Sequence, residues 1–254
     1  TDVRHSYGRR MRCQPNPNKQ VYSWLKNKQT CLLCDEHTDN GQTICSCCEA
    51  ELPWLGGHCQ VCALPLPSHG LVCGACLQKP PSFTRVEVPW RYAFPIDSLI
   101  TRFKHQAKWP LGRLLGELLS HHLQHAFDEG LPKPDLLLPV PLANKRQRQR
   151  GFNQAGLLAE WLSSSLQLPQ QAHWLQRVID TPAQQQLDAA TRKRNLRKAF
   201  ALAPNSAVSG LHVALVDDVL TTGATAESLA RLLKKAGAAR VDVYCLARTP
   251  KPGD

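Results

Sequence analysis

Two groups of residues in this 254-residue sequence have types and spacings suited to chemistry. The first is a group of thiols. Ten of the eleven cysteines lie between positions 13 and 76, and eight of those form four C-x-x-C pairs. Cys31 and Cys34, then Cys45 and Cys48 after ten residues, recur 28 positions later as Cys59 and Cys62, then Cys73 and Cys76 after ten residues. Thiols set this closely suit a tetrahedral metal site better than a disulfide network, and such thiols stay reduced in the cytosol. The segment has too few large apolar residues for its own core, so coordination must supply most of its stability. Structural zinc, one ion or two, is the expected occupant. Iron held by four thiolates and a redox-active C-x-x-C are the competing assignments. The spacing leaves open whether each unit holds its own metal or the pairs interleave, and whether Cys47 replaces a neighbour. Cys13 and Cys245 read as bystanders, the latter buried in a strand.

The second group is made of oxygens. An apolar run at 213–216 ends in Asp217 and Asp218, followed by Thr221-Thr222-Gly223-Ala224-Thr225 and a helical pattern. In open parallel sheets ligands bind beyond the carboxyl ends of the strands, where this stretch falls. The loop offers backbone N–H groups and threonine hydroxyls to a phosphate, and the helix start adds a favourable dipole. Gly223 lets the backbone approach closely. A carboxylate accepting two hydrogen bonds matches a vicinal ribose diol, and adjacent carboxylates suit a water-rich Mg²⁺ beside a pyrophosphate. Acids that merely cap a loop are the plainer reading of such a pair. The order of strand, acid pair, hydroxyl-rich loop and helix favours the phosphate cradle.

The charge distribution points the same way. The chain has 31 Lys and Arg against 20 Asp and Glu, a formal net charge of +11. Residues 141–200 hold ten Lys/Arg and three Asp/Glu, so that stretch alone carries +7. It contains Lys145, Arg146, Arg148 and Arg150, and further on Arg192 and Arg194. Such a patch suits phosphates, pyrophosphates or nucleic acid, with a merely solvated basic surface as the alternative.

The elements that must position these groups are alternating strands and helices. A break at Lys79-Pro-Pro-Ser divides a poorly defined extension (1–30) and a Cys-rich region (31–80) from a larger domain (81–254). In that domain 86–92 looks like a strand, Asp97 is placed to cap a helix, and Pro110 to open another with a leucine stripe. His121, His122 and His125 on the second helix read as surface histidines. The wholly apolar 136–140 suits a strand buried on both faces. Asn153 begins an apolar-striped helix, 174–179 is a further strand, and 180–198 is a long polar, basic loop. Strands over 213–216 and 241–247, with a helix over 226–236, complete an α/β domain with a parallel sheet flanked by helices.

Residues 213–225 resemble the signature of type I phosphoribosyltransferases, which bind 5-phosphoribosyl 1-pyrophosphate. The chain as a whole resembles the competence protein F family, including relatives called gluconate-utilisation protein X. The Cys-rich start, Cys73-Gly-Ala-Cys-Leu-Gln-Lys-Pro-Pro81, Pro139-Val-Pro-Leu142, Arg150-Gly-Phe-Asn-Gln154 and Arg192-Lys-Arg-Asn-Leu-Arg-Lys-Ala-Phe200 carry that resemblance in order, over about residues 31 to 249. It implies a type I phosphoribosyltransferase-like sheet with a small zinc-binding region. It also implies that Asp217 and Asp218 hold the ribose hydroxyls and help organise Mg²⁺, and that residues 221–225 cradle the 5-phosphate. The turn running into Lys145–Arg150 would face the pyrophosphate, and the basic loop around 192–198 would close over it. Phosphoribosyl transfer with pyrophosphate release is the implied reaction.

No residue pattern identifies the acceptor. Trp90, Tyr92 and Trp109 are candidates for a base-stacking hood, though aromatics there are more often core. The resemblance also implies a role in competence or in using DNA as a nutrient. The alternative function is therefore a module binding single-stranded DNA or a helicase/translocase of DNA uptake, with the phosphoribosyl pocket a sensor or relic. No apolar run approaches the length of a membrane span, and the first residues lack the apolar stretch of a secretory signal. The expected location is the cytoplasm, peripheral to the inner membrane only through partners.

Overall fold

The computed structural model of the protein describes residues 30–38, 42–179 and 199–250. The chain divides into two compact units, Thr1–Ala50 and Glu51–Asp254. In the first, an antiparallel bridge between Thr30 and His37 frames a turn carrying Cys31 and Cys34. Helix α1 (Ser46–Ala50) follows and holds Cys48. The second unit opens with the other cysteine repeat, built the same way: a His58–Pro65 bridge around the Cys59–Cys62 turn, then helix α2 (Gly74–Gln78) bearing Cys76. The linker after it is not loose, because the Ser82 amide donates to the Glu227 carboxylate at 2.6 Å.

The expected strand at 86–92 forms in two pieces, β1 (Arg85–Glu87) and β2 (Trp90–Arg91), both running parallel to the same neighbour. Pro89 sits in the gap, where it removes a ladder donor. Helix α3 (Ile96–Gln106) starts at Pro95, not at Asp97. The Asp97 carboxylate instead accepts from the adjacent Ser98 amide. Helix α4 (Trp109–Asp128) carries Pro110 in its first turn. A Cβ on Gly112 would run into the Phe103 ring, so glycine is what lets α3 and α4 pack this closely. Strand β3 (Leu136–Pro139) is buried at every residue. Helices α5 (Asn144–Arg150) and α6 (Gln154–Leu166) come next.

The segment at 174–179 does not join the parallel sheet. As β4 (Leu175–Arg177) it pairs antiparallel with β5 (Phe200–Leu202) in a separate two-stranded sheet. Strand β6 (His212–Leu220) runs four residues further than its apolar run. Helix α7 (Ala224–Lys235) and strand β7 (Arg240–Arg248) complete the domain. The main sheet has order β1-β7-β6-β3, all parallel, with β2 extending the β1 lane along β7.

Both faces of the sheet are covered, as a parallel sheet requires. Side chains alternate along each strand. Val213, Leu215, Val241 and Val243 share one core with Leu229 and Leu233 of α7 and with Phe83 and Phe200. On the opposite face Tyr244 meets Phe127 of α4 at 6.4 Å between rings. Along β6 that alternation assigns Asp218 to the side of α3, α4 and α6. Pairing of β3 with β6 stops at Pro139 opposite Val216, whereas β7 accompanies β6 to Leu220. Among the described residues no helix is long and apolar enough to cross a membrane.

Candidate phosphate site and metal centres

The four thiols of each repeat come together within the repeat: Cys31, Cys34, Cys45 and Cys48 form one cluster, and Cys59, Cys62, Cys73 and Cys76 the other. The pairs do not interleave, and Cys47 belongs to neither. In each cluster all four sulfurs lie within 4.8 Å of one another. The Cys34–Cys45 and Cys62–Cys73 separations are both 3.7 Å, and a tetrahedral ion with bonds of about 2.3 Å places its sulfurs about 3.8 Å apart.

Electrostatics within each cluster calls for a cation. Burial is the largest influence on Cys31 and raises it, but amides of Cys45, Leu33 and Cys34 outweigh it and bring the thiol down to about 6. In the second cluster burial likewise opposes amides of Cys73, Cys62 and Val61, and Cys59 falls to about 7. Cys48 and Cys76 are pushed well up, first by burial and then by the sulfurs beside them. Four thiolates crowd one another unless a positive ion joins them. His121, His122 and His125 form no such cluster. His125 pairs with Glu129 one turn on, at 3.4 Å. Cys245 is fully buried in β7, and burial raises its thiol far above the usual value.

At the carboxyl edge of the sheet, β6 delivers Asp217 and Asp218 side by side. Asp217 keeps some contact with solvent, and its Oδ1 accepts from the Asp218 amide at 2.8 Å. Burial, then the charge of Asp218, pushes the Asp217 carboxyl up to about 7, against the lowering pull of that amide and of Lys104. Asp218 is buried, and its Oδ2 pairs with Lys104 Nζ of α3 at 2.9 Å. Lys104 was absent from the residues singled out in the sequence. Its pairing is set by the packing of α3 across the sheet, and no local motif marks it.

Beyond the acids the chain turns at Gly223, whose φ of +73° caps α7. A Cβ there would meet no atom within 4 Å, so backbone conformation rather than crowding calls for glycine. Thr221 and Thr222 are exposed, and Gly223, Ala224 and Thr225 are half-buried. At the start of α7 the Ala224 amide makes a long contact of 3.4 Å with Thr222 Oγ1.

The exit of β3 is held by Asn153. Its Oδ1 accepts from the Ala155 amide and caps α6, while its Nδ2 donates to the Val140 carbonyl, both at 3.1 Å. This places α5 beside the acids. Arg146, Gln149, Arg150 and Phe152 join Lys104, His105 and Ala107 around a cavity of about 430 Å³. Burial and the neighbouring Arg146 lower the Arg150 guanidinium, against the pull of Asp218. Arg148 is exposed and does not line this cavity. The side chain of Lys145, and the whole of Arg192, Arg194 and the 180–198 loop, lie outside the described residues.

Of the proposed hood aromatics, Trp90 is fully buried against Trp54 at 5.7 Å between rings. Tyr92 is half-buried. Trp109 is 47% exposed and stacks on Phe152, 5.3 Å away, at the cavity's margin.

A double zinc ribbon domain matches residues 28–77, and a phosphoribosyl transferase domain matches residues 164–253. The first match and the two thiolate clusters identify structural zinc as the metal. The DNA utilization protein YhgH of Escherichia coli strain K12 is 40% identical over 207 residues, covering 81% of this chain and 90% of that one. Competence protein F of Haemophilus influenzae is 37% identical over the same share of each chain. Among solved structures, a purine phosphoribosyltransferase from Pyrococcus horikoshii Ot3 is 20% identical, with a TM-score of 0.34 over 56% of this chain and 74% of that one. A likeness that distant carries no functional weight.

Proposed function

The chain belongs to the competence protein F family, a phosphoribosyltransferase fold joined to a double zinc ribbon, and on that premise we propose that it binds 5-phosphoribosyl 1-pyrophosphate at the carboxyl edge of β6. The observation that carries the reading is the Asp218–Lys104 pair, which joins the acids ahead of the 221–225 loop to a cavity lined by Lys104, Arg146 and Arg150. Residues 221–225 bind the 5-phosphate through the amides at the start of α7 and the threonine hydroxyls. Asp217 accepts hydrogen bonds from the ribose hydroxyls, and Asp218 holds its neighbourhood through Lys104. Arg146, Arg150 and Lys104 meet the pyrophosphate, whose charge grows as its bond to the anomeric carbon breaks. Mg²⁺ bound with the ligand would neutralise part of that charge, and the two aspartates are the residues that would help hold it.

Transfer of the phosphoribosyl group to an acceptor, with pyrophosphate released, is the reaction this arrangement serves. The reduced thiols of both clusters fit work in the cytoplasm. A second reading draws on the Trp109–Phe152 stack beside Arg146 and Arg150, an exposed aromatic next to cations of the kind that holds single-stranded nucleic acid. The relatives' names, DNA utilization and competence, favour a DNA context for either activity.

Calorimetry with phosphoribosyl pyrophosphate and Mg²⁺ tests the first reading. Binding by the wild type that is lost in Asp217→Asn/Asp218→Asn supports it. A folded, zinc-loaded wild type that gives no heat refutes it and leaves the nucleic-acid reading, to be followed by the salt dependence of oligonucleotide binding.

A further inference from the structure

Arg248, the last residue of β7, is buried, and among the described residues no carboxylate pairs with it. Its guanidinium is satisfied by main-chain carbonyls drawn from three places. Nε donates to the carbonyl of Cys62 at 2.9 Å. Nη1 donates to the carbonyls of Leu220 at 3.1 Å and Thr221 at 2.5 Å, where β6 gives way to the loop, and to that of Thr249 at 2.7 Å. Cys62 is one of the four thiols of the second cluster. One planar, rigid group therefore spans the metal knuckle and the first residue of the phosphate loop.

A buried cation held only by carbonyls depends on each of them, because a donor left without its acceptor loses a charge-assisted bond and gains nothing from water. The position of the Cys62 carbonyl depends in turn on the metal, since a ribbon without a core of its own folds around its ion. Loss of the ion frees that carbonyl, and the guanidinium can then turn away from Leu220 and Thr221. The same path works in reverse, as any equilibrium coupling between two sites must.

We propose that Arg248 is a positioning residue that couples the second four-thiolate site to the 220–225 loop, so that metal at the one and a phosphoribosyl ligand at the other strengthen each other's binding. The ligand half of this coupling rests on the phosphoribosyl reading of that loop.

The test is zinc release from the full, zinc-loaded chain into a chromophoric chelator, with and without phosphoribosyl pyrophosphate and Mg²⁺, alongside amide hydrogen exchange of residues 220–225. The first cluster serves as an internal control. In the wild type the ligand is expected to slow release of one of the two zinc ions by about fivefold or more. In Arg248→Lys that ion leaves faster, its release no longer responds to ligand, and loop exchange rises, while the other ion is unaffected. A purely structural residue would not erase the response to ligand. Arg248→Gln replaces the lysine variant if melting shows that the latter does not fold. If the ligand binds wild type by calorimetry but slows neither ion, the coupling is overturned and the phosphoribosyl reading stands. Where wild type binds no ligand, that reading fails, and the ligand-free arms decide the rest. The variant must then quicken one zinc ion and the loop together, and a change at one end alone, or at neither, overturns the clamp.

Discussion

Replacing Asp217 with asparagine should stabilise the ligand-free protein at alkaline pH. The carboxyl titrates near 7 in the folded chain, raised by burial and by Asp218 beside it, against about 3.9 for an unfolded aspartate. Between those values the native state holds a proton that the unfolded state has released, so stability falls as pH rises through this window. Each unit of separation is worth about 1.4 kcal/mol, which sets a ceiling of about 4 kcal/mol above pH 7. Asparagine retains the Oδ1 that accepts from the Asp218 amide and carries no charge at any pH. Urea unfolding of both proteins, zinc-loaded and followed by tryptophan emission, should show the variant ahead at pH 8. Its lead should shrink by about 1 kcal/mol at pH 6, while zinc contributions cancel in the difference. A variant that is less stable at pH 8, or whose lead is the same at both values, would refute this account of the acid pair.

Other perturbations follow from the same geometry. Lys104→Met leaves the buried Asp218 without its ion-pair partner and should cost about 3 kcal/mol in urea unfolding at pH 8. It should also move the Asp217 titration above 7, because Lys104 lowers that pKa, and carboxyl NMR shifts would report the change. Gly223→Val forces a β-branched residue to φ near +73°, which should lower stability by about 1–2 kcal/mol and weaken ligand binding in calorimetry. Cys59→Ser should remove one zinc equivalent by elemental analysis. It should also lower the melting temperature of the sheet unit, since Ala63 of that ribbon lies in the same core as Phe83 and Val86.

Much of the site could be read locally because its signals are local. The C-x-x-C spacing marks all eight thiols of the two clusters and leaves their pairing to the folded turns, and Asn153 caps its helix because an asparagine before an apolar stripe has a short-range job. The apolar 136–140 run lies buried as expected. What escaped depended on distant partners. Strand β6 continues through Asp217 and Asp218 because Cys245 and Ala247 of β7 pair alongside, and no apolar pattern records that support. The 174–179 strand left the parallel sheet because Phe200–Leu202 offered an antiparallel partner across a long sequence gap. Lys104 and Arg248 look like ordinary surface cations in the chain. Only packing shows that one reaches Asp218 and the other the Cys62 carbonyl.

The early end of β3 shapes the site by leaving something out. Among the described residues, four of β6, from Asp217 to Leu220, have a strand on the β7 side and none on the β3 side. At about 3.3 Å per residue that is an unpaired strand edge of roughly 13 Å. On the phosphoribosyl reading, the room for that ligand is set by a length mismatch between neighbouring strands. Extending the apolar run of β3 by a few residues would pair that edge with protein and close the slot.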